Sequence, residues 1–303
     1  MIREVDYMHD YMRAIGFSQL KDKNECQDVL RNVLDEPTEV FMSPCSMKSA
    51  FGGMAKEYAD HLGVMAFGEF NPEADLEPEY YIPYLKGRKV TTREYVSVEK
   101  QSDKESYLGV CDEVNMGVSV IFQLLNMKDY MEYSLTHENI LRQLPITLSG
   151  LSISGKIILP VMKVEGHKER RFMENTHRNQ MLAAARQGDQ DAIESLTLED
   201  IDLFTLVSRR AQTEDILTIV ESYFMPYGIS CDQYSVMGNI MDVDSLINQS
   251  TGEEIYRMTL DCNDLVFDIC INKEDLMGEP AVGRRFRGNI WLQGLVDFSE
   301  NGL

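Results

Sequence analysis

The stretch Leu265-Val-Phe-Asp-Ile-Cys-Ile-Asn272 consists mainly of apolar and β-branched residues, which is typical of a buried β-strand. A second run, Gly117-Val-Ser-Val-Ile-Phe-Gln-Leu-Leu-Asn126, has the same character and also ends in asparagine. Each run is followed by a linker and then by glycine, a polar residue, isoleucine, an apolar residue and leucine, at 155–159 and 288–292. This echo indicates an internal duplication, although strands flanked by glycine turns also resemble one another by chance.

The chain around these runs divides into helical and strand-like regions. The N-terminus predicts a pair of short helices, 39–160 is rich in strand patterns, 172–224 predicts a helical block, and strands return up to residue 298. The last helix of the block is expected to begin at Thr213 and to include Phe224. We therefore predict an α+β fold with two sheet-containing halves, at 1–165 and 166–303, and a helical block between the two sheets.

The composition is strongly acidic, with 50 acidic against 29 basic residues and a net charge of -21. Such a surface repels phosphate backbones and anionic lipids, so we expect binding to neither nucleic acid nor membrane. The N-terminus is too charged for a signal peptide, and no apolar stretch approaches the ~20 residues that span a bilayer. We expect a cytoplasmic protein, in which the cysteines are buried free thiols.

No catalytic motif is recognised in the sequence. Gly150-Leu-Ser-Ile-Ser-Gly-Lys156 resembles the start of a phosphate-binding loop, but Ile157 stands where a hydroxyl must bind magnesium. The residues that follow predict a strand, whereas a phosphate-binding loop leads into a helix. The histidines form neither an HExxH motif nor an i, i+4 pair. We therefore expect no cofactor and no metal site.

The sharpest candidate binding site is the cluster Arg284, Arg285 and Arg287, which lies close to Trp291, the only tryptophan. Guanidinium groups suit carboxylate or phosphate ligands. They can equally pair with the protein's own excess of carboxylates. In an extended segment Arg285 and Arg287 share one face and Arg284 lies on the other, so the three need not converge.

Asp268 is a second candidate, because it lies inside an apolar strand with Val266 and Cys270 on the same face. If that face is buried, the carboxylate needs a partner, and an arginine is the obvious one. If the face is exposed to water, the charge needs no explanation, and this is the expectation that we adopt.

Five stretches of the chain are distinctive when they are taken together. They are Tyr11-Met-Arg-Ala-Ile-Gly-Phe-Ser18, Tyr107-Leu-Gly-Val-Cys-Asp-Glu-Val-Asn115, Glu194-Ser-Leu-Thr-Leu-Glu-Asp-Ile-Asp202, Ser222-Tyr-Phe-Met-Pro-Tyr-Gly228 and Glu279-Pro-Ala-Val-Gly-Arg-Arg-Phe-Arg-Gly-Asn-Ile-Trp-Leu-Gln-Gly294. Together they resemble a family of uncharacterised proteins from anaerobic, gut-type Firmicutes. The resemblance covers nearly the whole chain and implies a bacterial cytosolic protein. It carries over no activity and no catalytic residue, because the family is one of unknown function.

Two functional hypotheses follow from the sequence. The first is a non-catalytic cytosolic binding or protein-interaction protein, because no nucleophile, metal or phosphate motif is recognised. The second is a small-anion-binding protein or enzyme that uses the three arginines with Asp268 and Trp291. The expected partners are accordingly another protein or a small anionic ligand.

Overall fold

The computed structural model describes residues 10–20, 23–43, 50–101, 105–113, 118–136, 142–160, 181, 184, 188–210 and 216–299. Over these residues the chain forms two β-sheets, of four and ten strands, with a few helices. The α+β class predicted from the sequence is therefore confirmed, with strands predominating. The predicted domain boundary near residue 165 lies outside the described residues.

Among the described residues, the helices are short apart from one. Short 3-10 helices occupy Asp10–Ile15 and Lys273–Asp275, and the α-helices are α1 (Lys23–Asp35), α2 (Met127–Thr136), α3 (Gln190–Arg210) and α4 (Ile216–Ile219). No helix in the described ranges is both long enough and apolar enough to cross a membrane.

The strands of the first sheet form a simple antiparallel meander, and those of the second sheet follow it in the chain. The first sheet contains β1 (Glu39–Ser43), β2 (Ala50–Ala59), β3 (Leu62–Phe70) and β4 (Leu76–Leu85). The second contains β5 (Thr92–Lys100), β6 (Tyr107–Glu113), β7 (Val118–Leu124), β8 (Arg142–Ile158), β9 (Tyr223–Pro226), β10 (Gln233–Ile247), β11 (Glu254–Cys262), β12 (Leu265–Asn272), β13 (Leu276–Met277) and β14 (Arg285–Val296).

The long strands β8 and β14 form the centre of the second sheet. They pair antiparallel from Ile146 opposite Val296 to Ile158 opposite Arg285. One circuit of hydrogen-bonded strands runs from β8 through β5, β6 and β7 to β14, and another runs from β8 through β12, β11 and β10 to β14. Both circuits therefore share the β8–β14 ribbon as a common wall.

The two circuits are built from topologically equivalent units. The first unit is the antiparallel meander β5–β6–β7 followed by the long strand β8, and the second is the meander β10–β11–β12 followed by β14. Each long strand pairs antiparallel with the first strand of its own meander and parallel with the last strand of the other meander. The register of the strand pairing is also equivalent in the two units. The facing residues Val96 and Cys111 of the first unit correspond to Ile240 and Leu260 of the second. The facing residues Cys111 and Val120 likewise correspond to Leu260 and Phe267.

The sequence echo identified the right strands but aligned them incorrectly. Thr92 pairs with Ile146 and Val236 pairs with Gly288 at equivalent positions of the two units. Gly288 therefore corresponds to Ile146 and not to Gly155. The two glycine-containing segments are similar because Gly155 and Gly288 both pack against the ring of Phe286, and not because they occupy equivalent places in the fold.

An aromatic ring packs on a pair of glycines in each circuit. Phe122 is fully buried, and a Cβ added to either Gly109 or Gly294 would overlap its ring. Phe286 occupies the same kind of site over Gly155 and Gly288 in the second unit. The glycines are needed here because a side chain at their positions would take the space of the ring.

The helical block differs from its prediction at its last helix. The helix expected from Thr213 to Phe224 is only Ile216–Ile219 among the described residues, and Tyr223 and Phe224 lie in β9. Phe224 pairs with Val236 and its ring packs 4.5 Å from that of Tyr234. Tertiary packing of this aromatic pair therefore overrides the local helical pattern.

We predict that Gly109→Ala lowers the free energy of unfolding by about 1–3 kcal/mol, because the new methyl group overpacks the space that the Phe122 ring fills. Urea unfolding measures the loss. Phe122→Leu in the same chain should restore part of it, so that the double mutant loses less than the sum of the two single losses. Strict additivity of the two changes would contradict the packing described here.

Candidate functional site

The structure distributes the five predicted site residues among separate environments. Arg285 is buried, with 2 % of its surface exposed, and its guanidinium donates to backbone carbonyls. Nε and Nη2 reach the carbonyl of Leu159 at 3.1 and 2.9 Å, Nη2 reaches Leu217 at 2.8 Å, and Nη1 reaches Val220 at 2.9 Å. Burial lowers the pKa of Arg285. This side chain therefore fixes the ends of β8 and α4.

The other two arginines of the cluster have different partners. Arg284 donates to the carbonyl of Glu279 at 2.7 Å, and Arg287 donates from Nε to the hydroxyl of Tyr223 at 3.0 Å. Arg285 and Arg287 share one face of β14, as predicted. These hydrogen bonds of the three arginines go to backbone carbonyls and to one hydroxyl. They are therefore not the pairs with the protein's own carboxylates that the sequence suggested as the alternative to a ligand site.

Trp291 lies beside a largely buried carboxylate. Its indole Nε1 donates to Oδ2 of Asp232 at 2.7 Å, and its ring lies 5.6 Å from that of Tyr11. Burial raises the pKa of Asp232, although the bond from Trp291 opposes this shift. Burial and the neighbouring Asp232 raise the pKa of Tyr11 to about 12.

Asp268 is buried, with 4 % of its surface exposed, so the expectation of a wet face was wrong. Its partner is an arginine, but one outside the cluster. Arg88, in the connection between the two sheets, donates to Asp268 from its backbone N and from Nε, at 3.1 and 2.9 Å. Thr259 donates its hydroxyl to the same carboxylate at 2.6 Å.

Arg88 and Arg257 extend this pair into a network of ion pairs. Both guanidiniums bind Asp244, at 2.8 and 3.1 Å, and Arg257 also binds Asp60 at 2.9 Å in the β2–β3 turn. Burial raises the pKa of Asp268, but the bonds from Arg88 and Thr259 outweigh burial and leave that pKa lowered. The network therefore joins the first sheet to β10, β11 and β12 through side-chain contacts between arginines and aspartates.

Sequence reasoning found Asp268 but missed Arg88 and Arg257. The available signal was the charge inside an apolar strand, which requires a partner if it is buried. Arg88 lies far from Asp268 in the chain, so only the fold identifies it as the partner.

An open cleft of about 660 Å³ lies between the start of α2 and the end of β14. Three of the described residues that line it carry carboxylates, Asp129, Glu132 and Asp297, and none of the described lining residues is basic. Tyr133 and Phe298 also line the cleft, with their ring centroids 5.2 Å apart. Its volume lies within the range of small-molecule sites, about 300–1,000 Å³.

The Asn126 side chain connects the two walls of this cleft by hydrogen bonds. Asn126 Nδ2 donates to Asp129 at 2.9 Å and to the carbonyl of Val296 at 2.7 Å, and its Oδ1 accepts from the backbone N of Val296 at 3.1 Å. The backbone N of Asp297 donates to the carbonyl of Pro145 at 2.9 Å. Asp129 and Asp297 are thus attached to backbone positions that are fixed relative to one another.

The electrostatics of the cleft favour positive charge. Hydrogen bonds from Ser299 lower the pKa of Asp297, and Arg93 contributes in the same direction, so Asp297 is ionised at neutral pH. Glu132 lies 3.8 Å from Lys128. The three carboxylates form no cluster of a kind that can hold a metal ion, and the rest of the described chain contains none either.

Comparison with known proteins places the chain in a family. Residues 12–294 match the model of a family described as a domain of unknown function named for an E. rectale gene (DUF3881), so the chain belongs to that family. The resemblance noted in the sequence is therefore confirmed. No curated protein and no solved structure matches the chain.

We predict that Arg88→Met lowers the free energy of unfolding at neutral pH by about 3–5 kcal/mol, because it leaves the Asp268 carboxylate buried without its cation. The depressed pKa of Asp268 stabilises the wild type above the unfolded value of about 3.9, and this contribution is lost as the pH falls towards the folded pKa. The difference between wild type and variant should therefore shrink in acid. Urea unfolding across pH measures both effects.

Arg31→Met is the matched control for this change, because Arg31 pairs with Asp28 on an exposed helix face. Its loss should not exceed about 1 kcal/mol. Equal losses for the two variants at neutral pH would contradict a structural role for the network.

We predict that Arg285→Ala lowers the free energy of unfolding by about 3 kcal/mol or more, because several buried carbonyls lose their donor. Arg284→Ala, which removes one exposed contact, should cost about 0.5 kcal/mol. Thermal unfolding compares the two. A stable, folded Arg285→Ala protein would return this residue to a ligand-binding role.

Proposed function

We propose that this member of the DUF3881 family is a non-catalytic binding protein whose binding site is the cleft between α2 and the end of β14. The observation that carries the proposal is the composition of the cleft wall, in which three carboxylates and two aromatic rings surround an open volume of about 660 Å³. A concave, partly apolar wall with a few fixed polar groups is the usual form of a ligand site.

The arginine cluster supports an anion site less well. Arg285 is saturated by backbone carbonyls, and Arg287 donates to Tyr223. An anion would have to compete with bonds that also hold the fold together. Asp268, the carboxylate expected to assist the cluster, is bound to Arg88 instead.

The protonation state of Asp297 supports binding rather than proton transfer by this carboxylate. A general acid or base works best when its pKa lies near the working pH. The pKa of Asp297 is lowered by its hydrogen bonds from Ser299, so this carboxylate acts as a fixed negative charge.

The charge and the thiols support a site of action in the cytoplasm. The net charge of -21 disfavours nucleic acid and anionic lipid as partners. Cys26, Cys111, Cys262 and Cys270 are buried, and Cys262 and Cys270 are free thiols, which suits a reducing compartment, whereas Cys231 is exposed and Cys45 lies outside the described residues.

Val90→Trp tests the proposal by filling the cleft with a bulky side chain on an exposed wall position. A thermal-shift screen against amines, carboxylates, sugar phosphates and nucleotides should give a ligand that raises the melting temperature of the wild type and not that of Val90→Trp. At a concentration of 100 times its dissociation constant such a ligand adds about 2.7 kcal/mol.

Val282→Trp is the matched control, because Val282 is also an exposed valine but lies beside the arginine cluster. A ligand that Val282→Trp or Arg287→Ala displaces, and that Val90→Trp does not, would establish the anion site in place of the cleft. Mass spectrometry of the bound ligand after incubation tests whether the protein is non-catalytic, since conversion of the ligand to a product would show an enzyme.

A further inference from the structure

We infer that the cleft binds an organic cation, in which a protonated amine, guanidinium or quaternary ammonium group is carried on an apolar body. This inference rests on the proposed function and specifies its ligand class. It follows from the sign of the charges that line the cleft and from the walls on which they lie.

The negative charge of the cleft is only partly neutralised by the protein. Within the part of the chain that the structure describes, neither Asp129 nor Asp297 has a cationic group within ion-pair distance, although Arg93 acts on Asp297 from farther away. Glu132 has Lys128 at 3.8 Å, and both side chains of that pair are about half exposed. A bound cation would therefore gain interactions that the protein does not already supply.

The placement of the carboxylates favours an extended cation over a metal ion. A metal requires several oxygen ligands at about 2.0–2.6 Å from one point, and the described carboxylates of the cleft form no such cluster. Asp129 lies on the α2 wall and Asp297 on the β14 wall, with Asn126 fixing the two walls to each other. An organic cation has N–H or C–H groups that point in several directions and can reach both walls.

The aromatic rings supply the second half of the recognition. Phe298 packs 5.2 Å from Tyr133 and 5.7 Å from Tyr130, so its ring is held in place by neighbours of the same kind. A cation above an aromatic face gains about 0.5–2 kcal/mol. Val90 and Pro145 add apolar surface to the wall, which suits the hydrocarbon part of such a ligand.

Isothermal titration of the full chain with phenethylammonium, agmatine and choline tests the inference. Phenethyl alcohol is the uncharged control for phenethylammonium, and magnesium ion is the control for simple cation binding. We expect at least one organic cation to bind at least about tenfold more tightly than either control. The alcohol lacks the charge that strengthens hydrogen bonds to carboxylates. Magnesium needs several oxygen ligands around one point, and the described carboxylates form no such cluster.

Variants assign the binding to the cleft. Asp129→Asn and Asp297→Asn should each weaken the organic cation about tenfold or more, and Phe298→Leu should weaken it by roughly 2- to 30-fold. Asp35→Asn removes an exposed carboxylate at the end of α1 and should leave the affinity unchanged. Thermal unfolding of each variant confirms that it is folded.

Several results would overturn the inference. Equal binding of phenethylammonium and phenethyl alcohol, absence of binding by all three cations, or cation binding that survives both cleft substitutions would each refute it. A ligand of another class that Val90→Trp displaces would refute the cation and leave the proposed function standing. Displacement by Val282→Trp alone would refute both.

Discussion

The antiparallel pairing of β8 with β14 is the interaction on which the rest of the structure depends. Each strand completes the circuit of its own unit and is also the neighbour of the last meander strand of the other unit. Neither unit closes without a strand from the other, so the halves are better described as one interlocked sheet than as two domains. The cleft also depends on this ribbon, because its walls include the start of β8 and the residues that end β14.

Buried charge is the second constraint, and the protein satisfies it with long-range contacts. Asp268 lies inside an apolar strand, where an ionised carboxylate is costly unless it is paired and hydrogen-bonded. The connection between the sheets supplies Arg88, and Arg257 carries the network on to Asp60 in the first sheet. Because these groups satisfy one another, they are unavailable to a ligand, whereas Asp129 and Asp297 remain at a surface that a ligand can reach.

The sequence predicted the fold better than it predicted the site. Most strands were predicted, because the local composition of runs such as Leu265–Ile271 favours a strand and the fold keeps them as strands. The helix expected through Phe224 failed because a distant ring, that of Tyr234, decides its conformation. The cleft was not predicted, since Asp129 and Asp297 are ordinary acids in an acidic chain until β14 brings their elements together. The clustering of the arginines along the chain likewise did not indicate their contacts, because neighbours in sequence on a strand reach different partners.

The place of β14 in the strand order has a consequence for biosynthesis. β14 follows every other described strand of the second sheet in the chain, and it completes both circuits by pairing with β7, β8 and β10. Until it emerges, β8 has one open edge and the meanders on either side expose apolar faces, which are conditions that promote aggregation. The second sheet can therefore close only after β14 has emerged from the ribosome, and a nascent chain truncated before residue 285 should depend on chaperones more than the full chain does.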